Sequence, residues 1–443
     1  MNGQTFFERL NNWVKNSITV KILSIGFLIL ILLIPAQMVE SLIRERQYTR
    51  EGAIDEVSSK WGYAQTITGP VLTVPYKAFA KDEHGKYIPV TEYAHFLPEK
   101  LNIAGTIHPE MRYRGIYEVV VYNSKMNLTG SFSNPSFKDW GVASENVYWK
   151  DAFLAIGIPD MRGIENNILL QWNTESIPFN PGVDSKDVIG SGVSAKVPLN
   201  ISDTAGTFNF SFDVSLNGSK ELNFIPVGKE TNVQLISPWS TPSFSGAFLP
   251  DKRDINKNGF KAKWNVLHLN RNYPQQWRNA SYSIGDSFFG VTLLVPVDDY
   301  QKTTRSQKYA LMIISLTFLL FFFIEVMNKK RIHPIQYLLV GLAMIIFYTL
   351  LLSLSEHVNF NFAYMIASFA IITLIIVYCI PIFKNKRLTA FMMLILVTLY
   401  GFVFTILQLE DYALLMGSIG LFIVLAIVMY LSRKINWYSV HED

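Results

Sequence analysis

The chain has 443 residues, of which 50% are apolar and only 17% are charged, with a mean hydropathy of +0.21 and a net charge of +4. A positive mean hydropathy over this length excludes a purely soluble globular protein, because soluble domains carry more polar surface. The single cysteine, Cys379, excludes an intramolecular disulfide, a cysteine-based zinc site and a Cys-x-x-Cys redox pair. We therefore expect part of the chain to lie in lipid.

Six apolar runs are each long enough to cross a bilayer as a helix, which takes about 20 residues. The first 21 residues are predicted to form a cytoplasmic amphipathic segment on the inner membrane face. Short loops between the last five runs favour a five-helix bundle, followed by a cytoplasmic tail at 433–443. The predicted spans are residues 22–39, 309–327, 335–355, 362–383, 388–408 and 412–431.

The distribution of charge predicts the orientation of these spans. Residues 40–308 contain 28 Lys or Arg and 28 Asp or Glu, whereas the rest of the chain contains 11 cations and 7 acids. All 11 cations flank apolar runs, and loops rich in Lys and Arg stay on the cytoplasmic side. Both termini are therefore predicted to be cytoplasmic and residues 40–308 periplasmic. The basic clusters are explained by this topology, so nucleic-acid binding has no support.

Two features of the N-terminal region leave alternatives open. Arg44, Arg46 and Arg50 follow the first span on its predicted outer side, against the basic-inside rule, although three glutamates accompany them. Residues 1–39 could also be a cleaved signal peptide. An uncleaved anchor is favoured because the apolar run is long for a signal peptide and the cleavage site would be poor.

The periplasmic segment 40–308 is predicted to start with a helix to about residue 60 and to continue as a β-rich, antiparallel, sandwich-like fold. Alternating apolar residues and frequent Pro and Gly indicate many short strands. Asn217-Gly218 is predicted to be a hairpin turn between the strand at 207–216 and a returning strand with Leu222 and Phe224. Further predicted strands are 71–76, 117–122, 168–173, 259–268 and 288–295.

The segment from Asp254 to Gly259 imitates the first half of an EF-hand calcium loop. Its twelfth position is Asn265 rather than an acid, and nearby lysines would repel a cation. We therefore predict a turn that leads into a strand, and we expect no metal or other cofactor.

Three ionisable residues lie at or near membrane depth, where charge is costly and often functional. Glu325 is predicted to pair with Lys329 at the headgroup level, four residues later on the same helix. Glu356 and His357 are predicted to end the third span on its outer side. These three are the candidate functional residues, and an interfacial structural role is the simpler interpretation.

No catalytic signature is found in the sequence. Motifs of serine hydrolases, zinc proteases, phosphate-binding loops and dinucleotide-binding folds are absent, and the seven histidines are dispersed. We therefore predict that the protein is not an enzyme. An envelope hydrolase would need a clustered acid, base or metal site in the segment 40–308.

Several segments of the sequence carry residues that are specific enough to indicate a family. They are Trp61-Gly62, Gly69 to Tyr76, Gly157 to Gly163, Gly259 to Trp264, Lys308 to Phe318, His333 to Gly341 and Leu351 to His357. Through these segments the chain resembles the CreD family of bacterial inner-membrane cell envelope integrity proteins. The resemblance covers nearly the whole chain and implies a polytopic inner-membrane protein linked to envelope integrity, stress response and colicin tolerance, with no catalytic residues.

The leading hypothesis is a non-enzymatic protein whose periplasmic domain binds or senses an envelope component. The rival is a transporter or lipid-handling protein that uses Glu325, Glu356 and His357. The lipid bilayer is the one partner that the sequence predicts; the ligand and the oligomeric state are open.

Overall fold

A computed structural model describes residues 18–199, 206–294, 299–328, 330–409 and 412–433. The chain divides into two compact units. The first comprises Met1–Arg50 and Val297–Asp443 and is called the membrane unit here. The second comprises Glu51–Pro296 and is called the β-rich unit.

Six helices in the described ranges are long and apolar enough to cross a membrane, which confirms the six-helix prediction. The first of them continues well past the apolar run at 22–39, as far as Trp61. The described ranges contain seven α-helices, because the second of the six candidate spans, Tyr300–Met327, includes residues of both α2 and α3. The helices are α1 (Ile18–Trp61), α2 (Asp299–Lys308), α3 (Ala310–Met327), α4 (Pro334–Ser355), α5 (Phe360–Phe383), α6 (Lys386–Gln408) and α7 (Ala413–Ser432).

Local signals define where the helices of the membrane unit begin. At the start of α4, His333 accepts from the N–H of Ile335 and Gln336 accepts from the N–H of His333, so the two side chains form a capping box with Pro334 at the first helical position. The side chains of Asn359 and Asn385 cap α5 and α6 by accepting from the N–H groups of Phe362 and Arg387. These caps satisfy backbone N–H groups that the helices leave unpaired.

The core of the membrane unit is rich in aromatic rings. Phe347 of α4 contacts Tyr364 of α5 and Tyr400 of α6 with ring centroids 5.3 and 4.9 Å apart. Gly341 allows α1 to approach α4, because a Cβ at this position would lie 2.2 Å from a methyl carbon of Leu32. Packing of this kind holds helices together where burial from water cannot.

The β-rich unit contains two mixed sheets, which confirms a β-rich, sandwich-like fold. The first sheet runs β13-β17-β11-β1-β5-β9-β8 with β2 and β16 attached, and the second runs β14-β15-β12-β3-β4-β10-β6-β7. The strands are β1 (Gln65–Lys81), β2 (Tyr87–Phe96), β3 (Lys100–Arg114), β4 (Tyr117–Phe132), β5 (Phe153–Gly157), β6 (Leu169–Trp172), β7 (Glu175–Pro178), β8 (Asn180–Pro181), β9 (Gly192–Lys196), β10 (Phe208–Ser219), β11 (Glu221–Phe224), β12 (Glu230–Ser237), β13 (Pro242–Gly246), β14 (Lys252–Asn256), β15 (Gly259–Leu267), β16 (Gln276–Arg278) and β17 (Phe289–Leu293).

Alternation along the strands separates a buried face from an exposed one. In β10 every second side chain is buried, including Phe208, Phe210 and Phe212. Trp172 of β6 stacks on Phe208, with ring centroids 5.4 Å apart. Such pairs contribute about 0.5–1.5 kcal/mol beyond the area that they bury. One continuous apolar cluster fills the unit.

The predicted hairpin at Asn217-Gly218 is wrong. Both residues lie inside β10 and pair with Asn123 and Tyr122 of β4. A Cβ on Gly218 would lie 2.3 Å from the Tyr122 hydroxyl, so the glycine serves close packing rather than a turn. The chain turns at Lys220, which has a φ of 62°, and β11 then joins the other sheet.

The prediction of an antiparallel, sandwich-like fold holds for most strand pairs and is corrected for two of them. β11 runs parallel to β1, and β12 runs parallel to β3. Two adjacent parallel strands require a long connection in the chain. Between β1 and β11, and between β3 and β12, this connection contains other strands. Periodicity within one strand carries no information about the direction of its neighbour.

The segment that imitates a calcium loop forms a β-hairpin. Asn256 of β14 pairs with Gly259 of β15, and the Asn256 side chain accepts from the N–H of Asn258 in the turn between them. The predicted turn into a strand is therefore confirmed. Within the described ranges, no three His, Cys, Asp or Glu side chains are grouped as a metal site would require.

Candidate functional site

The membrane unit buries the carboxylate of Glu325 near the end of α3, where its side chain is 4% exposed. Lys21 of α1 places Nζ 2.9 Å from Oε1 of this carboxylate. Tyr337 of α4 donates its hydroxyl to Oε2 over 3.0 Å, and the backbone N–H of Ile332 donates to Oε1 over 3.4 Å. Side chains of α1 and α4 and a backbone N–H of the connection between α3 and α4 therefore all contact the Glu325 carboxylate.

Lys21 is the counterion of Glu325 that the structure describes. The predicted partner, Lys329, lies outside the described residues, and the ion pair in the structure is made by Lys21. Tyr337 is held in place between the rings of Phe318 and Phe321, with centroids 5.4 and 5.6 Å away. A buried acid with a fixed counterion is a recognised feature of functional sites in membranes, and it also serves helix packing.

Glu356 follows the last residue of α4 and is 11% exposed. Tyr300 of α2 donates its hydroxyl to Oε1 over 3.0 Å, and Arg46 of α1 places Nε 3.9 Å from the same oxygen. The guanidinium of Arg50 lies over the Tyr300 ring at 5.9 Å. Arg44 lies 2.8 Å from Glu40, so all three arginines that follow the first apolar run have partners within the membrane unit.

The structure does not bring the three candidate residues together. His357 is exposed, and its backbone N–H donates to the carbonyl of Leu354. Glu325 contacts the first turn of α4, whereas Glu356 and His357 follow its last turn. A helix of 22 residues is about 33 Å long, so the two ends are separate sites.

The β-rich unit contains a hydroxyl, an imidazole and a carboxylate in one chain, which the sequence analysis missed. Thr73 of β1 lies opposite His95 of β2, with Oγ1 3.0 Å from Nδ1. On the other side of the ring, Nε2 lies 3.2 Å from Oδ2 of Asp187. Because a carboxylate only accepts, Nε2 carries the proton and Nδ1 accepts from Thr73.

The hydroxyl, imidazole and carboxylate follow one another as they do in hydrolase triads, but the hydroxyl is buried where a substrate cannot reach it. Thr73 and His95 are 2% and 1% exposed, so a substrate carbonyl cannot reach the hydroxyl while β1 and β2 remain paired. Burial lowers the pKa of His95, and the neighbouring Asp187 opposes that effect. No motif marks these three residues because each lies in a different segment.

A second polar cluster surrounds Asp160. Its Oδ2 accepts from the N–H of Tyr63 over 2.9 Å, and its Oδ1 accepts from Nε of Arg162 over 2.8 Å. Gln65 Nε2 donates to the Asp160 carbonyl. The hydrogen bonds from Arg162 are the main reason that the pKa of Asp160 is held below its ordinary value.

The same cluster joins segments that are distant in sequence. Arg162 donates Nη1 to the carbonyl of Ser59 in the last turn of α1, where a cation stabilises the helix C-terminus. A Cβ on Gly62 or on Gly163 would lie 2.7 or 2.3 Å from the carbonyl oxygen of Asn217, so both positions require glycine. Two of the segments that carry the family resemblance, Trp61-Gly62 and Gly157 to Gly163, therefore meet within the β-rich unit.

Comparisons with known proteins cover both units. The family model described as "Inner membrane protein CreD" matches residues 17–438. The inner membrane protein CreD of Escherichia coli (strain K12) is 31% identical over 432 residues, which cover 96% of this chain and 95% of that protein. The match thus includes the six apolar helices as well as the two sheets. The chain belongs to the CreD family of inner membrane proteins.

Proposed function

We propose that the protein is a non-enzymatic, multi-pass inner-membrane protein that supports envelope integrity and tolerance of stress or colicins. In this proposal the β-rich unit faces the periplasm and binds or senses an envelope component. The observation that carries this proposal is the β-rich unit itself, which is large and has its own apolar core. The segment 40–308, which contains this unit, has no net charge.

The polar clusters of the β-rich unit support a role without catalysis. The hydroxyl of Thr73 and the ring of His95 bond to each other inside the core. Asp160 is bonded to Arg162 and to backbone N–H groups, which is the environment of a structural carboxylate. A hydrolytic site would need an acid or base that faces a substrate.

The distribution of cations supports cytoplasmic termini and a periplasmic β-rich unit. A reporter that is active only outside the cytoplasm provides the test. Fused after Asn217 it should be active, and fused after Lys386 it should be silent. The opposite pattern would overturn the proposed orientation.

The role of the β-rich unit is tested by deletion in a strain that lacks the native gene. Removal of residues 64–294 should abolish complementation of an envelope-stress phenotype, whereas Glu356→Ala and His357→Ala should complement. Immunoblotting of the membrane fraction shows that each variant is inserted. Complementation by the deletion variant would contradict the proposal.

A transporter or lipid-handling function is the second candidate, and the buried pair of Lys21 and Glu325 favours it. An acid in contact with a lysine and a tyrosine hydroxyl inside a helix bundle could exchange protons or bind a charged group. Under this alternative, Glu325→Gln abolishes complementation while the protein remains folded and inserted. Under the leading proposal, the folded Glu325→Gln variant complements.

A further inference from the structure

The exposed face of the second sheet carries a row of uncharged polar side chains. Six neighbouring strands each contribute one residue, and each of these residues lies directly opposite the next one across the sheet. They are Asn265, Asn232, Asn102, Thr129, Ser211 and Gln171. With strands about 4.8 Å apart, the row is about 24 Å long. The row is thus long enough to follow an extended ligand rather than a single small molecule.

Asparagine is an unusual residue for the middle of a strand, because strands favour β-branched and aromatic residues. The row nevertheless contains Asn265, Asn232 and Asn102, and Asn127 stands beside it on β4. All four are exposed or half-buried, so Thr would fit each position with better strand propensity. Residues that break a local preference without a gain in packing point to a binding role.

The amides of this row are held in fixed orientations. Asn265 Nδ2 donates to Asn232 Oδ1 over 2.7 Å and to Glu230 over 3.2 Å. Asn232 Nδ2 donates to Asn102 Oδ1 over 3.3 Å and to the same Glu230 oxygen over 3.1 Å. Within the described residues, the side-chain oxygen of Asn265 and the side-chain N–H groups of Asn102 have no partner among these bonds. The row therefore offers an acceptor on β15 and a donor on β3, two strands apart.

A groove of about 490 Å³ lies over part of this row. Its lining includes the side of the sheet formed by β3, β4, β12 and β15, together with Asp251 and Lys252. Asp251 is fixed there, because its carboxylate accepts from the backbone N–H of Asn265 over 2.7 Å. Amides provide most of the polar groups of the groove, and its few charges have both signs.

We propose that this groove and the polar row bind a linear, uncharged glycan chain. Sugar hydroxyls donate and accept at once, which matches a neutral row that offers both an amide acceptor and an amide donor. A phosphorylated ligand would be bound by arginine forks or clustered cations, and a peptide strand would need a free sheet edge. The backbones of β3, β4 and β12 are already paired on both sides. This proposal rests on the proposed function, since the β-rich unit must face the envelope to meet such a chain.

The test uses the full-length protein in nanodiscs and isothermal titration calorimetry with two neutral probes, chitohexaose and maltohexaose. At least one probe should bind saturably. The double variant Asn102→Thr and Asn232→Thr should weaken binding at least about tenfold, because the Thr side chain is too short to replace the amide hydrogen bonds. Asn209→Thr is the matched control, since Asn209 is exposed on β10 but outside the groove, and it should bind as the wild type.

Thermal unfolding midpoints show whether each variant is folded. Should the double variant unfold, Asn127→Thr replaces it, because the Asn127 side chain donates only to Asp213 among the described residues. Failure of the wild type to bind either probe, or equal binding by folded wild-type and groove variants, would overturn the glycan proposal. The proposed function would survive that result if removal of residues 64–294 still abolished complementation, and it would fail separately if the deletion variant complemented.

Discussion

The two units stabilise a buried carboxylate in different ways. In the membrane unit, Glu325 obtains its counterion from Lys21 on another helix, far away in sequence. In the β-rich unit, Asp160 obtains its counterion from Arg162, two residues later, and further hydrogen bonds from backbone N–H groups. The first arrangement depends on helix packing, whereas the second is largely local.

The difference follows from the solvent of each unit. A helix in lipid has its backbone N–H groups bonded internally, so they are unavailable to a buried acid. Only a side chain or a helix connection can then neutralise it, and Lys21, Tyr337 and Ile332 do so for Glu325. Irregular backbone near a sheet still has free N–H groups, as Tyr63 shows for Asp160. Loss of a counterion should therefore be more harmful in the membrane unit.

The largest effect is expected for Lys21→Met. This change leaves Glu325 buried without its cation, and breaking a buried ion pair costs about 3–5 kcal/mol. The free energy of unfolding should be measured in detergent, with Lys386→Met as the control because Lys386 is an exposed cation beside a span. Addition of Glu325→Gln to Lys21→Met should restore most of the loss. Equal stability of Lys21→Met and the control would disprove the assigned pair.

A smaller effect is expected for Asp160→Asn in the β-rich unit. The change removes the charge that binds Arg162 and weakens the bond from the Tyr63 N–H, with a cost of about 2 kcal/mol. Because the pKa of Asp160 is lowered in the folded state, its contribution is present above the unfolded pKa of about 3.9 and is lost as the pH falls below it. Denaturation followed by tryptophan fluorescence at pH 7 and at low pH measures both effects. Asp213→Asn, an exposed acid, is the control.

The third prediction concerns the pH dependence of the β-rich unit. Burial lowers the pKa of His95, so the unfolded chain binds a proton more readily than the folded one. Stability should therefore fall as the pH drops below the unfolded pKa of about 6.5, by at most about 1.4 kcal/mol per pH unit. His95→Gln should flatten this dependence, whereas His108→Gln, at an exposed position, should leave it unchanged. An unchanged slope in His95→Gln would refute the assignment.

The smallest effect is expected for Glu356→Gln. Its contact with Arg46 is 3.9 Å long and the arginine is 47% exposed, so the pair contributes little. Gln can still accept from the Tyr300 hydroxyl. The free energy of unfolding in detergent should change by less than about 1 kcal/mol. A loss of unfolding free energy as large as that of Lys21→Met would contradict the description of the Glu356 pair as much weaker than the Glu325 pair.

The positions of helices and strands could be predicted from the sequence because their signals are local. Runs of about 20 apolar residues mark the spans, and alternation marks strands such as β10 and β15. Their partners could not be predicted in the same way. Asn217-Gly218 has the residues of a hairpin turn. The glycine is instead required because the side chain of Tyr122, on a strand far away in sequence, packs against it.

The candidate site was predicted only in part for the same reason. Glu325 stood out because an acid in an apolar run is costly, but its partner on α1 depends on how the helices pack. Thr73, His95 and Asp187 gave no signal, since ordinary strand and loop residues become a chain of hydrogen bonds only when the strands pair.

The sequence by itself determined the membrane spans, the neutral charge of the segment between them and the β-rich character of that segment. These are properties of composition and short-range periodicity, which do not depend on distant residues. Only the tertiary structure decided that β11 joins β1, that Lys21 neutralises Glu325 and that Asn265, Asn232 and Asn102 lie side by side on neighbouring strands. Each of these contacts joins residues that the chain brings together only when whole elements pack.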